Sequence, residues 1–397
     1  MSEPAPILIA GGGIGGLALA LALARGGRRS VVLEQRVTLG GEGAGIQLGP
    51  NGTRILRELG LEAELRPAAG MPDALAVHDG GSGRTLAVLP LGRWIATRHG
   101  APYWAVHRAD LHQALASAVA SEPLVTLQPG RTFAALEQKG DLVLVHTGDG
   151  EVFSGPALIG ADGLWSAVRR IVEPDAVPRF AGATASRAVL PVASAGRLAL
   201  PAIGLWLSAG INVVHYPVRG GAEIAVVVIT REDWQGKEWD FDADREALLQ
   251  RLSPLHASLI EPLAAATAWR KWALYRLRAL PKWSAGRIGL IGDAVHPMMP
   301  HLAQGGVLAL EDAVVMADAL TRSAGDEEQA LRTFEARRRG RARRVQIMSR
   351  LNGRLYHMAP PASWVRDAVL RVIPGAWMMA GYDWLYGWRF ESCQGDA

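Results

Sequence analysis

Residues 6–24 read PILIAGGGIGGLALALALA, which is a short apolar run, a glycine turn and an alanine–leucine segment. This order predicts a β-strand, a tight turn and an α-helix, and Gly11, Gly13 and Gly16 have the GxGxxG spacing of a dinucleotide-binding turn. Gly11 permits the turn, Gly13 lets a diphosphate approach the backbone, and Gly16 lets the helix pack closely on the strand. Unpaired amides at the helix N-terminus then face the diphosphate.

A second apolar run, SVVLEQ at 30–35, ends near Glu34, about 20 residues beyond the glycines. A carboxylate at this position accepts hydrogen bonds from a ribose diol and repels the 2′-phosphate of NADP. Strand, spacing and Glu34 agree, which argues against a glycine-rich turn that binds no nucleotide. We expect further contacts with the same ligand from Ile14, Gly15, Gln35 and Arg36.

Two later motifs extend this site, GADG at 160–163 and GDAVHPMMPHLAQGG at 292–306. Asp162 follows a predicted strand and is expected to contact the same ligand. Its alternative role is to cap the next helical turn. Asp293 follows the apolar run RIGLIG, where it can reach the chain that joins the ligand's diphosphate to its ring, or a water on the diphosphate, or serves only as a turn residue. At the start of the next helix, amide groups would stabilise negative charge on that ring when it is reduced. They belong to Gln304, Gly305 and Gly306.

Together the three motifs describe one extended ligand, held at its adenosine end, along its diphosphate and at its reactive ring. A chain with a separate nicotinamide domain would carry a second GxGxxG after a strand, and this sequence has none. The predicted ligand is therefore FAD. Arg108, at the start of a predicted helix over 107–120, can pair with a phosphate or with the flavin side of the ligand.

Composition limits the other classes of function. The chain has 397 residues, 49% of them hydrophobic, which is enough for a large core and two domains. The single cysteine, Cys393, excludes an intrachain disulfide and a thiolate metal cluster, so redox chemistry must come from a cofactor, and no metal site is predicted. With neither a signal peptide nor a membrane helix indicated, we expect a cytoplasmic protein without a membrane partner. The basic run at 337–344 favours a solvated helix face over nucleic-acid binding.

The pattern predicts an α/β fold: a Rossmann-like FAD-binding domain with βαβ units and a parallel sheet, an inserted mixed β-sheet substrate domain, and C-terminal helices. A tryptophan-rich tail suits a helix that closes over the cofactor domain, or a homodimer contact, better than a membrane surface. The predicted boundaries are 1–72, 100–178 and 281–358 for the FAD-binding domain, 73–99 and 179–280 for the substrate domain, and 359–397 for the tail.

These motifs match the three signatures of a known enzyme class. Over roughly residues 5–320 the chain resembles the class A flavin-dependent aromatic hydroxylases of the para-hydroxybenzoate hydroxylase fold. Four stretches are similar to the branch that contains salicylate hydroxylase, 3-hydroxybenzoate 6-hydroxylase and 6-hydroxynicotinate 3-monooxygenase. They are GAGIQLGPNG at 43–52, HYPVRGG at 215–221, MPHLAQGG at 299–306 and YDWLYG at 382–387.

The resemblance implies a reaction in two halves. NAD(P)H, as NADH or NADPH, reduces FAD, and dioxygen then forms a flavin hydroperoxide whose distal oxygen is attacked by an electron-rich ring. The implied substrate is a small aromatic acid of the hydroxybenzoate or hydroxypyridine carboxylate type. Such an enzyme needs a base that ionises the substrate hydroxyl and a site closed to water.

Candidate catalytic residues follow from strand alternation and from the resemblance. In the predicted strand at 212–217, Asn212, Val214 and Tyr216 share one face, and His215 lies on the other. In the resembling branch the tyrosine of the YP pair faces the substrate, and a histidine often stands four residues before it, where this chain has Asn212.

His301 is therefore the best candidate base, and it matches the histidine of the PHMAQG pattern in the hydroxynicotinate type. A surface histidine is the alternative. Gln47 is a flavin or substrate contact or a packing residue, and His296, in the signature turn, is interpreted as structural.

Three functions remain open: hydroxylation of a small aromatic acid, the same flavin chemistry on a larger molecule such as a polyketide, quinone precursor or drug, and a flavin-fold protein that binds without catalysis. The intact loop at 299–306 favours catalysis, because a binding module has no need of it.

Overall fold

The computed structural model describes residues 4–40, 45–234 and 240–391. Its strands are β1 Ile7–Ala10, β2 Ser30–Glu34, β3 Gly45–Leu48, β4 Ala74–Asp79, β5 Thr85–Pro90, β6 Trp104–His107, β7 Val125–Pro129, β8 Phe133–Lys139, β9 Leu142–Thr147, β10 Val152–Gly155, β11 Leu158–Gly160, β12 Arg179–Pro191, β13 Ala202–Ser208, β14 Ile211–Val218, β15 Glu223–Arg231, β16 Asp240–Asp242, β17 Arg270–Arg276, β18 Ser284–Ala285 and β19 Ile288–Leu290. Its α-helices are α1 Ile14–Arg25, α2 Pro50–Glu58, α3 Glu62–Leu65, α4 Gly92–His99, α5 Arg108–Ala120, α6 Arg169–Val172, α7 Arg245–Leu252, α8 Ala257–Ala264, α9 Gly305–Arg322, α10 Glu327–Tyr356, α11 Ala362–Val372, α12 Gly375–Ala380 and α13 Asp383–Tyr386.

A six-stranded sheet in the order β18-β19-β11-β1-β2-β7 carries the first motif. All its pairs are parallel except β18 with β19. Parallel strands of this kind are buried on both faces, and β1 is fully buried, as its unbroken apolar run predicts. The predicted α/β class is confirmed.

Helix α1 packs against α9 and α5 as well as the sheet. It is buried on nearly every side, with Leu17, Leu19 and Leu23 fully inaccessible. This explains why its sequence lacks a polar face, since a helix enclosed by other elements needs none.

An eight-stranded sheet in the order β16-β17-β12-β15-β14-β13-β4-β5 forms the second layer. Its strands are antiparallel except for the β13–β4 pair, so the sheet is mixed, as predicted. The strands come from residues 74–90, 179–231 and 240–276, on either side of segments that belong to the parallel sheet. The exact domain boundaries stay predictions.

The remaining strands form two smaller sheets, in the orders β10-β9-β8 and β3-β6. The β3–β6 pair links the layers, because β6 also contacts β14 of the large sheet.

The C-terminal helices lie against the larger sheet. Both α11 and α12 contact β5, and α13 contacts α2. Two tail tryptophans lie under arginines of α10: the guanidinium of Arg341 is 5.2 Å from the ring of Trp388, and that of Arg344 is 4.0 Å from the ring of Trp384. Within the described ranges, no helix is both long and apolar enough to cross a membrane.

Candidate active site

The three motifs meet because neighbouring parallel strands end at one edge. Gly11 follows β1, Asp162 follows β11 and Asp293 follows β19, and these three strands lie side by side. Ligands of open α/β sheets bind outside the carboxyl ends of their strands. A channel of about 300 Å³ lies at this edge and extends beneath the large sheet. Among the predicted site residues, its lining includes Gly13, Ile14, Gly15, Gln47, Arg108, Tyr216, Asp293, Gln304, Gly305 and Gly306.

The fingerprint glycines have the geometry that a dinucleotide requires. Gly11 has φ +109°, and a Cβ there would collide with the carbonyl of Ala161. A Cβ at Gly16 would overlap the Gly11 carbonyl oxygen, which explains the close approach of α1 to the turn. By contrast, a Cβ at Gly13 would meet no protein atom within 4 Å. The space in front of Gly13 is therefore open to a ligand.

Glu34 braces the glycine turn from the end of β2. Its Oε2 accepts the backbone N–H of Gly12 at 2.7 Å, and its Oε1 accepts that of Arg36 at 2.9 Å. The carboxylate is thus oriented beside the turn, where the sequence predicts a ribose contact. Gln35 and Arg36 are exposed next to it and lie outside the channel lining. Their cofactor contacts stay predictions.

Asp162 bonds within its own turn. Its Oδ2 accepts the backbone N–H groups of Ala167 at 2.7 Å and Val168 at 3.1 Å, and its Oδ1 accepts the Ser166 hydroxyl. These bonds correspond to the alternative role as a cap. The channel is lined here by Ala161 and Gly163 instead. A side-chain contact of Asp162 with the cofactor stays a prediction.

Asp293 and Arg108 bring opposite charges to the channel. Asp293 is accessible from the channel interior yet surrounded by protein, and desolvation raises the pKa of its carboxyl although His296 and Arg108 oppose this. Arg108 is the first residue of α5, and the helix also anchors the fingerprint, because His112 Nε2 lies 2.8 Å from the Gly12 carbonyl oxygen.

The N-terminus of α9 closes the channel at its inner end. Gln304 is buried, and its Oε1 accepts a hydrogen bond from Asn51 Nδ2 at 2.9 Å. A Cβ at Gly306 would collide with Ile46. Ala303, just before the helix, has φ +51°, which is uncommon for a residue with a side chain and often marks a functional turn. The positive end of an 18-residue helix therefore faces the place where the flavin ring is predicted.

A buried charge network beneath this turn escaped the sequence analysis. Glu311 and Asp312 on α9 both pair with Arg338 of α10, at 2.8 and 2.7 Å. Burial alone would raise the pKa of Asp312, but His296 and Arg338 lower that pKa to about 2. Asn51 Nδ2 also donates to Glu311 at 2.8 Å. His296 is thus part of a structural network, as the sequence favours. The only sequence signal for this network was the basic run that contains Arg338.

A second cavity of about 340 Å³, here called the chamber, adjoins the channel. The large sheet and the C-terminal helices supply apolar walls to it. Its polar lining consists of Gln47, Tyr103, Asn212, His301, Asn352, Tyr356, Arg366, Tyr382 and Tyr386. Five residues line both chamber and channel, and they mark the junction: Gln47, Val214, Ile229, Pro300 and Ala303.

His301 lies in the chamber wall next to that junction. Its side chain is 9% exposed, which excludes the surface alternative, and neither ring nitrogen has a hydrogen-bond partner among the described residues. Burial, with a smaller effect of Arg231, lowers the pKa of His301 to about 4. The ring is therefore neutral near pH 7, and one of its nitrogens keeps an unshared electron pair.

The other predicted catalytic residues occupy different places. Gln47 lies at the junction, where its Oε1 accepts a hydrogen bond from Tyr103 at 2.8 Å. Tyr216 lines the channel rather than the chamber, and burial raises the pKa of its hydroxyl to about 12. His215 packs on Gly204, away from both cavities, as strand alternation predicts.

Arg187 is a channel residue that the sequence analysis missed. Its guanidinium lies 4.8 Å from the centroid of the Trp272 ring, and burial lowers its pKa, with Arg108 adding to the effect. A single arginine in a strand has no sequence pattern that marks it as a site residue. Arg187 reaches the channel only through the pairing of its strand in the large sheet.

Comparison with known proteins agrees with this geometry. A family model described as "FAD binding domain" matches residues 4–349. The chain is 34% identical over 395 residues to 3-hydroxybenzoate 6-hydroxylase of Klebsiella oxytoca, covering 99% of both chains. It belongs to the FAD-dependent aromatic hydroxylases.

Two further relatives support the assignment of the chain to this family. The hydroxylase is 34% identical to 6-hydroxynicotinate 3-monooxygenase of Pseudomonas fluorescens, over 89% of this chain and 92% of that one. Its structure superposes on Klebsiella pneumoniae HpxO complexed with FAD and uric acid with a TM-score of 0.84 and 26% identity, covering 95% of each chain.

The hydroxylase's channel fits FAD. The open space at Gly13, the cation of Arg108 and the amide end of α9 all lie at the channel, where they would hold the diphosphate and the ring. When bound there, FAD carries electrons from a reduced nicotinamide coenzyme to dioxygen for ring hydroxylation. The protein's own residues orient the ring, hold the substrate and move its proton.

Proposed function

We propose that this hydroxylase acts on a small hydroxylated aromatic acid of the benzoate or pyridine carboxylate type, with His301 as the base that ionises the substrate hydroxyl. The observation that carries the proposal is the position of His301, which lies in the chamber wall beside the channel and whose ring nitrogens have no hydrogen-bond partner in the part of the chain that the structure describes. The names of the two sequence relatives, which act on 3-hydroxybenzoate and 6-hydroxynicotinate, support the substrate class.

The names of these relatives favour a small substrate over a polyketide, quinone precursor or drug. The C-terminal helices cover the chamber. The walls are mostly apolar, and they keep water from a reaction that water would divert.

The substrate hydroxyl would give its proton to one unpaired nitrogen of His301, and the ring becomes electron-rich as the oxygen becomes negative. The resulting imidazolium and phenolate attract each other in a buried site, which makes His301 a stronger base with substrate than without it. Gln47 would contact the flavin or the substrate at the junction, and Tyr216 would contact the flavin from the sheet.

A carboxylate in this chamber would be held by neutral donors. Arg366 is the only lysine or arginine among the described residues that line the chamber, and it bonds to Asp367 and to the backbone carbonyl of Leu355. Tyrosine hydroxyls and amide groups are therefore the available partners for an acid group.

NADH or NADPH and dioxygen complete the proposed set of partners. A cytoplasmic location and a homodimer also stay part of the proposal. Exposed apolar side chains of α11 support self-association, among them Trp364, Val365 and Val369.

The test is a screen of the FAD-loaded protein. Hydroxybenzoates and hydroxypyridine carboxylates are added one at a time with NADH or NADPH, coenzyme consumption is followed, and products are identified. We expect one or a few of these acids to accelerate consumption and to appear as hydroxylated products. If none does, while a larger aromatic molecule does, the small-acid proposal is wrong. Failure of every aromatic compound would favour a protein that binds without catalysis.

A further inference from the structure

A buried polar pair stands behind one wall of the chamber. Asn212 of β14 is 1% exposed, and its Oδ1 lies 2.7 Å from Nε2 of His357, which directly follows α10. The two are 145 positions apart in sequence. Asn212 lines the chamber, whereas His357 does not.

The rest of this wall is apolar. Asn212 pairs across the sheet with Leu207 on one side and Ile229 on the other, and both also line the chamber. The Nδ2 donor of Asn212 has no partner among the described residues. A buried donor without a partner is unfavourable, and an apolar side chain would fit this wall without that cost. The unpaired amide is therefore the mark of a ligand contact.

His357 determines which end of the amide is free. Burial, with smaller effects of His301 and Arg231, lowers the pKa of His357 to about 3, so its ring is neutral near pH 7. A neutral ring with the proton on Nε2 donates to Asn212 Oδ1, and the N–H groups of Asn212 are then left for the chamber. The segment after α10 also bonds to the turn before β14, because the His357 carbonyl accepts the backbone N–H of Gly210 at 3.5 Å.

The same corner contains the proposed base. The rings of His301 and His357 are 5.5 Å apart at an interplanar angle of 86°. His301 offers nitrogens that can accept a proton, and Asn212 offers N–H donors. A hydroxyl group placed between them would have a partner for its hydrogen and another for its oxygen.

We infer that Asn212, positioned by His357, binds the ionisable hydroxyl oxygen of the substrate and stabilises it as an anion once His301 has taken the proton. The O–H bond breaks, the proton forms a bond to a ring nitrogen of His301, and both electrons stay on the oxygen, which accepts a hydrogen bond from Asn212 Nδ2. This inference rests on the proposed function of the same site. The other titratable side chains that line the chamber are Tyr103, Tyr356, Arg366, Tyr382 and Tyr386.

A chromophoric phenol tests the inference without turnover. The probe is 4-hydroxy-3-nitrobenzoate, whose phenol and phenolate forms absorb differently, titrated into the FAD-loaded protein with no nicotinamide coenzyme present. We expect the parent to lower the pKa of the bound probe relative to the free probe. Asn212→Leu should raise the bound probe's pKa by about one unit, a tenfold loss in preference for the anion. Asn212→Asp, which has the same shape but places a negative charge beside the oxygen, should raise it further.

His357 is tested through its effect on Asn212. His357→Phe should raise the bound probe's pKa in the same direction as Asn212→Leu, and His357→Gln, which keeps an N–H donor, should restore part of the loss. In Asn212→Leu, the further change His357→Phe should have no added effect. The control is His146→Gln, on β9 of the three-stranded sheet, which should match the parent.

Unchanged probe ionisation in both Asn212 variants would overturn the inference. An effect of Asn212 with none from His357→Phe would overturn the positioning role. The proposed function fails separately: a parent that binds the probe as phenolate but hydroxylates no aromatic acid refutes the proposed function, while Asn212 keeps its part in binding the anion. A parent that hydroxylates acids while its Asn212 variants leave the probe unchanged refutes the inference alone.

Discussion

The Nε2 atom of His296 lies 2.6 Å from the Oδ2 atom of Asp312, and both side chains are buried. The same Oδ2 accepts the backbone N–H of Gly292 at 2.9 Å, and Oδ1 accepts Nε of Arg338 at 2.7 Å. One carboxylate of α9 therefore holds the turn of the third motif and joins it to α10. The turn therefore depends on a charge network whose members Glu311, Asp312 and Arg338 do not line the channel.

Asp312→Ala should destabilise the fold strongly. It leaves the guanidinium of Arg338 with one buried partner fewer and removes the acceptor of the third-motif turn, and breaking a buried ion pair in this way costs about 3–5 kcal/mol. The measurement is the free energy of unfolding in urea. The control is Asp141→Ala, which breaks an ion pair of Arg287 with an almost fully exposed carboxylate and should cost less than about 1 kcal/mol. Equal losses in the two variants would contradict the role of the network.

Gly13→Ala and Gly16→Ala should separate cofactor binding from folding. A methyl group at Gly13 meets no protein atom, so the protein should fold normally but weaken FAD binding by about tenfold or more, because the methyl lies where the diphosphate approaches. A methyl group at Gly16 overlaps the Gly11 carbonyl and should lower stability as well. Thermal unfolding of the cofactor-free proteins and flavin content per protein measure the two effects. A Gly13→Ala protein that retains FAD as tightly as the parent would refute this placement of the cofactor.

His301→Ala should slow hydroxylation much more than flavin reduction. Loss of a general base typically costs about 10²–10⁴-fold in rate, whereas electron transfer from the coenzyme does not need the substrate's proton removed. Rapid-mixing measurements of flavin reduction and of product formation separate the two steps. The control His146→Ala should leave both rates as in the parent. Equal rates in His301→Ala and parent would remove His301 from the mechanism.

Stability should fall in mild acid. Burial lowers the pKa of His215 to about 3, of His301 to about 4 and of His357 to about 3, from 6.5. The unfolded chain therefore binds more protons than the folded one below about pH 6.5, so acid favours unfolding. Above that pH these groups contribute no pH dependence.

Each of the three histidines should contribute up to about 1.4 kcal/mol per pH unit as the pH falls from about 6.5 towards 4. The measurement is the urea unfolding free energy as a function of pH. His215→Phe, which keeps a ring of similar size away from both cavities, should reduce the slope whatever its effect on absolute stability. A slope unchanged from that of the parent would show that His215 does not titrate on unfolding.

The sequence by itself determined the parallel-sheet fold and the position of its ligand edge. The glycine turn, Glu34 and the aspartates after β11 and β19 are local signals, because a strand, a turn and a helix start are each specified by neighbouring residues. Strand alternation likewise placed Asn212 and Tyr216 on one face and His215 on the other. These inferences need only short stretches of chain.

Only the tertiary structure decided which distant side chains meet. His357 reaches Asn212 because α10 ends against the turn before β14. Arg338 reaches Asp312 because α10 packs against α9. The site is divided into a channel, lined by Tyr216, and a chamber, lined by His301. This division follows from the way the large sheet packs against the helices. No local pattern carries this information, since contacts across tens to hundreds of residues arise from packing of whole elements.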